Sequence, residues 1–196
     1  RWQDGSGTAV SRLGQEFDLF GLQLPGRFNA SNATLALAVA EQLGLGLDES
    51  VKRMCQVQAV SGRYAIVNVG AIRIRLLLAK NPAGWTELID VMPPAPTPVI
   101  VSINSNAADG RDPSWLWDVP FEKLRGRTVI ATGDRRRDLA VRLLHAEVDH
   151  VVIADPYSPA APLPPEARAL DVIDNAATYT AFHELRTRAQ REATSE

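Results

Sequence analysis

Apolar residues recur along the chain at two spacings, and each change of spacing marks a change of element. The stretch 17–24, from Phe17 to Leu24, alternates apolar residues with polar or small ones. With Gly5, Gly7 and Gly14 before it and Pro25-Gly26 after it, the region reads as strands and turns at a sheet edge. Across 29–43 the spacing becomes helical: Ala33, Leu37 and Ala40 recur on one side and Ala36, Val39 and Leu43 beside them. Asn29, Ser31 or Asn32 can cap the start, and Gly44 stops the run. A second helix is expected over 47–57 with Val51, Met54 and Cys55 inward and Lys52 and Arg53 outward, which makes Cys55 a core residue.

Beyond Ser61 the pattern shortens again. Strands from Tyr64 to Gly70 and from Ile72 to Leu78 meet at Gly70-Ala71, so a domain boundary is expected near 58–62, dividing the chain into 1–60 and 61–196. A short helix over 85–91 and the run Pro93-Pro94-Ala95-Pro96 lead to a strand over 97–103, whose unbroken apolar character suits burial on both faces of a parallel sheet. Strands over 128–132 and 150–154 bracket a helix over 137–145 with Leu139, Leu143 and Leu144 on one side. The proline-rich link 156–165 reads as a stiff surface loop, and a last helix is expected over 176–191. Strand and helix in alternation predict an α/β fold with a mostly parallel sheet and right-handed crossovers.

Composition narrows the functions available. The 196 residues carry 21 Lys+Arg against 23 Asp+Glu, a formal net charge of -2, so no field of one sign favours nucleic acid or an anionic membrane surface. No stretch approaches the ~18 consecutive apolar residues of a membrane span. A single cysteine, Cys55, excludes an internal disulfide and any site needing two thiolates, which suits a reducing cytosol. The chain starts Arg1-Trp2-Gln3-Asp4-Gly5, with neither an initiator Met nor a secretory signal, and this predicts a piece of a longer polypeptide. Neither GxxxxGK[ST] nor a GxGxxG after a strand is present, so nothing in the sequence would by itself cradle a triphosphate or dinucleotide. His145, His150 and His183 lack metal-ligand spacing, and no metal site is expected.

One segment concentrates chemistry. After the strand over 97–103, where open α/β sheets place their ligands, come Asn104, Ser105, Asn106, then Asp109-Gly110-Arg111-Asp112-Pro113-Ser114-Trp115-Leu116-Trp117-Asp118. Asp109-Gly110 is a turn, Asp112 can cap a helix beginning at Pro113, and the tryptophans can pack that helix down. The same cap would hold the Asp112 carboxylate rigidly at a surface, where it could orient an imidazole from another chain. Both readings stand at this point.

Several runs resemble the C-terminal part of the MurT family, the Mur-ligase-like subunits of lipid II isoglutaminyl synthase. Pro25-Gly26-Arg27-Phe28-Asn29-Ala30-Ser31-Asn32-Ala33 resembles the Mur ligase segment G-x-H-N-x-x-N-x-x-A, with Phe28 in place of His. Leu78-Ala79-Lys80-Asn81-Pro82-Ala83-Gly84-Trp85 resembles L-x-K-N-P-A-G-W, and the run from Asp109 to Asp118 resembles D-G-x-D-x-S-W-x-W-D, with Phe121-Glu122 following as in the family. The stretch from Thr132 to Leu143 resembles T-G-x-R-x-x-D-x-A-x-R-L, and Tyr179-Thr180-Ala181 matches a Y-T-A near the end.

The resemblance implies a Rossmann-like Mur-ligase C-terminal domain over 61–196, preceded over 1–60 by a remnant of the central ATP-binding domain. It implies a cytoplasmic enzyme complex at the inner face of the plasma membrane. There the complete subunit uses ATP and Mg²⁺ to activate the D-glutamate carboxylate of the lipid II stem peptide, and a GatD-type glutaminase supplies ammonia to give D-isoglutamine. Within it, Asp112 or Asp109 would complete the glutaminase's Cys-His-Asp triad, and Trp115 and Trp117 would dock it. Asn29 and Asn32 would lie near adenine, and Lys80 and Asn81 would face the acyl-acceptor side. The plain alternatives are helix capping for the asparagines, a turn before Pro82 for Lys80-Asn81, and a docking module without chemistry for the whole. Arg135, Arg136 and Arg137 at a helix start either face an anion or are solvated. The fragment alone is expected to be inactive and to bind no cofactor tightly.

Overall fold

The computed structural model describes residues 2–3, 6–24, 26–57 and 64–195. The chain divides into two compact units, Arg1–Val60 and Ser61–Glu196. The expected boundary near 58–62 lies outside the described residues, as does Pro25 of the first motif.

In the first unit β1 (Trp2–Gln3), β2 (Ser6–Val10) and β3 (Glu16–Asp18) form an antiparallel sheet in that order. Helix α1 (Arg27–Gln42) buries Ala30, Ala33, Leu37 and Ala40, the first three in one cluster with Ala9, Phe17 and Leu19. It begins earlier than the asparagines suggest: its N-cap is Gly26, at φ 98, with no side-chain cap, so Asn29 and Asn32 lie inside the helix. Its end follows the sequence, for Leu45 N–H reaches Ala40 O and Gly44 N–H reaches Glu41 O, with Gly44 at φ 70, a Schellman closure. Helix α2 (Leu47–Cys55) buries no residue fully, so Cys55 is half-buried against Gly21 rather than a core thiol.

The second unit is built on a six-stranded sheet of order β4-β5-β9-β6-β7-β8: β4 (Tyr64–Val69), β5 (Ile72–Leu78), β6 (Val99–Ser102), β7 (Val129–Thr132), β8 (His150–Val152) and β9 (Ile173–Ala177). Only the β4–β5 pair is antiparallel. Helices α3 (Pro82–Asp90) and α4 (Arg136–His145), with two 3-10 turns at Ser114–Asp118 and Phe121–Leu124, cover one face through Trp85, Leu116, Phe121, Leu139 and Leu143. Helices α5 (Pro165–Arg168) and α6 (Tyr179–Ser195) cover the other through Ala167, Phe182, Leu185 and Ala189. β6, β7 and β9 are buried along their whole length, as sandwiched parallel strands must be.

Strand β9 corrects the expectation of a helix from residue 176. Its sequence Ile-Asp-Asn-Ala-Ala lacks the β-branched run of its neighbours, yet it is the strand between β5 and β6. Its polar residues are satisfied rather than exposed. Asp174 accepts from Arg75 Nε at 2.7 Å, and the Arg75 pKa is raised, the hydrogen bond to Asp174 being the leading cause. Asn175 accepts from Ser102 Oγ (2.9 Å) and donates to Tyr157 Oη (2.7 Å), which closes the ring by donating to Ser102 Oγ at 3.3 Å. Burial pushes the Tyr157 hydroxyl above its usual range, so it stays protonated for that role. The link 156–165 is therefore not a pure surface loop: Pro156, Tyr157 and Ala161 are buried.

Candidate functional site at the carboxyl edge of the sheet

The chain leaving β6 turns to the α3/α4 face and the chain leaving β9 enters α6 on the opposite face, so the two tips diverge at a switch point, the crevice where such sheets hold ligands. Asn104 organises it. Its backbone N–H donates to Thr178 Oγ1 (2.9 Å), its side-chain amide donates to Glu184 Oε2 (3.0 Å), and its Oδ1 accepts from Asp134 N–H (2.9 Å). Three strand tips are thereby clamped by one residue that is 3% exposed. A cleft of about 280 Å³ opens beside it, walled by Thr132, Asp134, Arg136, Asp155 and Arg188. Two of its cations are already engaged: Arg188 Nη1 donates to both Asp155 oxygens at 3.0 Å, and Arg136 Nη1 donates to the Gly133 carbonyl at 3.0 Å.

The two candidate aspartates have opposite environments. Asp109 is half-buried and turned inward: Oδ1 accepts from Thr180 N–H at 2.8 Å, and Oδ2 accepts from the Thr180 hydroxyl and from Asn106 N–H. It satisfies a free amide of the first turn of α6 and pins the loop to that helix. Asp112 is exposed. Its oxygens accept from Ser114 N–H and Ser114 Oγ, both at 2.9 Å, and the Ser114 amide, then the hydroxyl, hold its pKa below the usual carboxylate range. It caps no helix starting at Pro113. The turn that follows is 3-10, begins at Ser114 and has no side-chain cap, because Asp112 spends its bonds on a local turn with Ser114.

The tryptophans also separate. Trp115 is half-buried and stacks on Trp85 (centroids 6.1 Å apart), whereas Trp117 is 55% exposed, with its ring edge-on to His145 at 5.3 Å. What shapes this segment is Arg142, whose place in α4 gave no hint of a role. Its buried guanidinium donates to Leu116 O (3.2 Å), Val119 O (2.8 Å) and Glu122 Oε1 (2.8 Å), adding a second donor to two carbonyls that already accept from Val119 N–H and Phe121 N–H.

Of the remaining candidates, Asn81 is the N-cap of α3, accepting from Gly84 N–H at 2.9 Å ahead of Pro82. Lys80 is exposed, with Nζ 4.0 Å above the centre of the Tyr179 ring. Lys80 and Asp109 thus converge on the first turn of α6, and Asn29 and Asn32 belong to the first unit. Arg135 pairs with Asp138 at 3.0 Å, while Arg137 is exposed. Among the described residues no three His, Cys, Asp or Glu side chains gather as a metal site, and no helix is long and apolar enough to cross a membrane.

Comparison with known proteins gives three kinds of match. A family model described as MurT ligase C-terminal matches residues 78–182. The MurT subunit of lipid II isoglutaminyl synthase (glutamine-hydrolyzing) from Streptococcus pneumoniae (strain ATCC BAA-255 / R6) is 36% identical over 135 residues, covering 66% of this chain and 30% of that protein. The subunit of the same name from Staphylococcus aureus (strain COL) is 34% identical over 142 residues, 69% of this chain and 32% of that protein. The chain therefore spans 30–32% of the length of these curated relatives. Among solved structures, UDP-N-acetylmuramate-alanine ligase MurC from Thermotoga maritima superposes with a TM-score of 0.57 at 14% identity, covering 97% of this chain and 45% of that one. Folylpolyglutamate synthase from the same organism gives 0.57 at 20% identity, covering 90% and 42%. These two likenesses are of fold, and the fold is that of Mur-type ligases.

Proposed function

The chain belongs to the MurT ligase C-terminal family, and on that premise we propose that it is part of the ligase subunit of a lipid II isoglutaminyl synthase. In this reading 61–196 is the C-terminal domain and 1–60 the end of the central ATP-binding domain. The complete subunit, with ATP, Mg²⁺ and ammonia from a GatD-type glutaminase, amidates the D-glutamate of the lipid II stem peptide at the inner face of the membrane. This portion of the subunit docks the glutaminase and lends it Asp112.

The observation that supports this most is the contrast between the two aspartates: Asp109 is consumed by α6, and Asp112 stands exposed with its orientation fixed by Ser114. A carboxylate so held can accept the N–H of a partner's imidazole, fix its tautomer and stabilise the imidazolium formed when a thiol is deprotonated. Residues for a triphosphate do not fit here. The glycine turn from β7 into α4 is filled by its own chain, since a Cβ on Gly133 would lie 2.5 Å from the Ile103 carbonyl. ATP and Mg²⁺ belong, in this proposal, to the rest of the complete subunit, with Asn29 and Asn32 as the contribution of 1–60 toward adenine and Lys80 toward the acceptor.

A second reading, a docking surface without chemistry, draws support from exposed Trp117, Val141 and Leu144. Trp117→Ala is expected to weaken binding of the glutaminase about tenfold or more with no change in thermal midpoint. Trp115→Ala, which strips a ring from Trp85, should destabilise the fold by about 2–3 kcal/mol. Titration calorimetry and thermal melts of the complete subunit check both. The aspartate exchanges separate the two readings, because only the first makes turnover depend on Asp112.

A further inference from the structure

We infer that Tyr179 is a positioning residue that holds the Lys80 ammonium at the carboxyl edge of the sheet, beyond the paired ends of β5 and β9. The inference rests on the reading of Lys80 as a substrate contact and extends it to the Tyr-Thr-Ala motif, for which the sequence offered no role. The placement follows from strand register. Leu78 of β5 pairs with Ala177 of β9, and Ala79 N–H donates to Ala177 O at 3.1 Å, so the ladder runs to the last residue of both strands. Lys80 and Tyr179 each stand two residues beyond that paired position, Lys80 in the connection into α3 and Tyr179 as the first residue of α6, so the register brings the two connections side by side. The ammonium lies 4.0 Å from the ring centre, within the range of a cation–π contact, and the ring also packs on His183 at 4.3 Å, one helical turn further along α6.

The ring is anchored independently of the lysine. Thr180 is held by Asp109 through its amide and hydroxyl, and Ala181 is buried against the sheet. The three residues of the motif thus divide the work, with Tyr179 receiving the ammonium, Thr180 receiving the loop that carries Asp112, and Ala181 seating the helix. A lysine side chain has several freely rotating bonds, and a ring under its ammonium restricts where the charge can go without neutralising it, leaving its N–H donors for an anionic group of the substrate, a carboxylate or a phosphoryl oxygen. One helical turn thereby couples the acceptor-side cation to the glutaminase-side loop.

The test uses the complete subunit with its glutaminase and has three arms. Tyr179→Leu is expected to raise the KM for the lipid II substrate two- to fivefold, with kcat, glutamine hydrolysis and thermal midpoint close to wild type. Tyr179→Phe, which keeps the ring, restores the KM. In 13C-dimethyl-lysine NMR spectra the signal assigned by Lys80→Arg loses its upfield ring-current shift in Tyr179→Leu and keeps it in Tyr179→Phe. An unchanged KM in Tyr179→Leu, or equal defects in the Leu and Phe variants, overturns the positioning role. If Lys80→Ala leaves amidation intact, the underlying assignment of Lys80 fails instead, and the NMR arm alone reports whether the stack exists.

Discussion

Asp112→Asn is expected to cut glutamine hydrolysis by the assembled complex on the order of a thousandfold or more, the scale on which exchanging the acid of a catalytic triad acts, while leaving assembly intact. Steady-state glutaminase assays beside size-exclusion profiles of the mixed subunits measure both. Asp109→Asn provides the contrast. It removes a charged acceptor from Thr180 and Asn106, so it should lower the thermal midpoint and affect turnover only as far as the loop loosens. If the two exchanges behave alike, Asp112 has no special place in the chemistry. The pH profile adds a second reading. Because Ser114 depresses the folded-state pKa of Asp112, the turn it makes is fully present above the usual carboxylate range and is lost as pH falls through that lowered value. The acid limb of glutamine hydrolysis should therefore lie with other groups, and Ser114→Ala should move Asp112 ionisation upward by removing the weaker of its two donors.

The second large effect is expected at Gly133. It sits at φ 91, and a Cβ there would lie 2.5 Å from Ile103 O and 2.8 Å from Asn104 Oδ1. Left-handed strain of ~1–2 kcal/mol adds to an overpacking cost of ~1–3 kcal/mol, because the atoms met are backbone and a fully engaged amide. A loss of about 3 kcal/mol corresponds to a fall in midpoint of roughly 10 °C for a unit of this size. Gly110→Ala is the control: it has φ 90 but nothing within 4 Å of the added carbon, so it should show the strain alone. Calorimetric melts of both variants decide whether the close approach to Ile103 matters. Since the same contact fixes Asn104, Gly133→Ala should also disorder the clamp on the strand tips.

Most of the framework was legible because its signals are local. β6 and β7 announce themselves as unbroken apolar runs and Gly44 marks the end of α1 by backbone geometry alone, whereas α3 begins at Pro82, ahead of the helix expected from residue 85. What escaped depends on partners distant in sequence. β9 reads as a poor strand because Asp174 and Asn175 find acceptors and donors 99, 73 and 18 residues away, in Arg75, Ser102 and Tyr157. Arg142 looks like a surface cation on an amphipathic helix, and only the fold shows it gripping the backbone around Trp117. The site was visible as a crowd of residue types, yet nothing in the spacing of Asp109 and Asp112 could tell the inward carboxylate from the outward one. That distinction is made by Thr180, 71 residues on.

The insertion of β9 between β5 and β6 has a bearing on synthesis. A chain emerging from the ribosome exposes the flanks of a central gap until the strand that fills it appears, late in the sequence. Until then the neighbouring ladders have no partner, and the two halves of the future crevice are not joined. Premature termination ahead of Ile173 would thus remove the middle of the sheet rather than fray its margin, and the product would present two open edges to any other nascent chain.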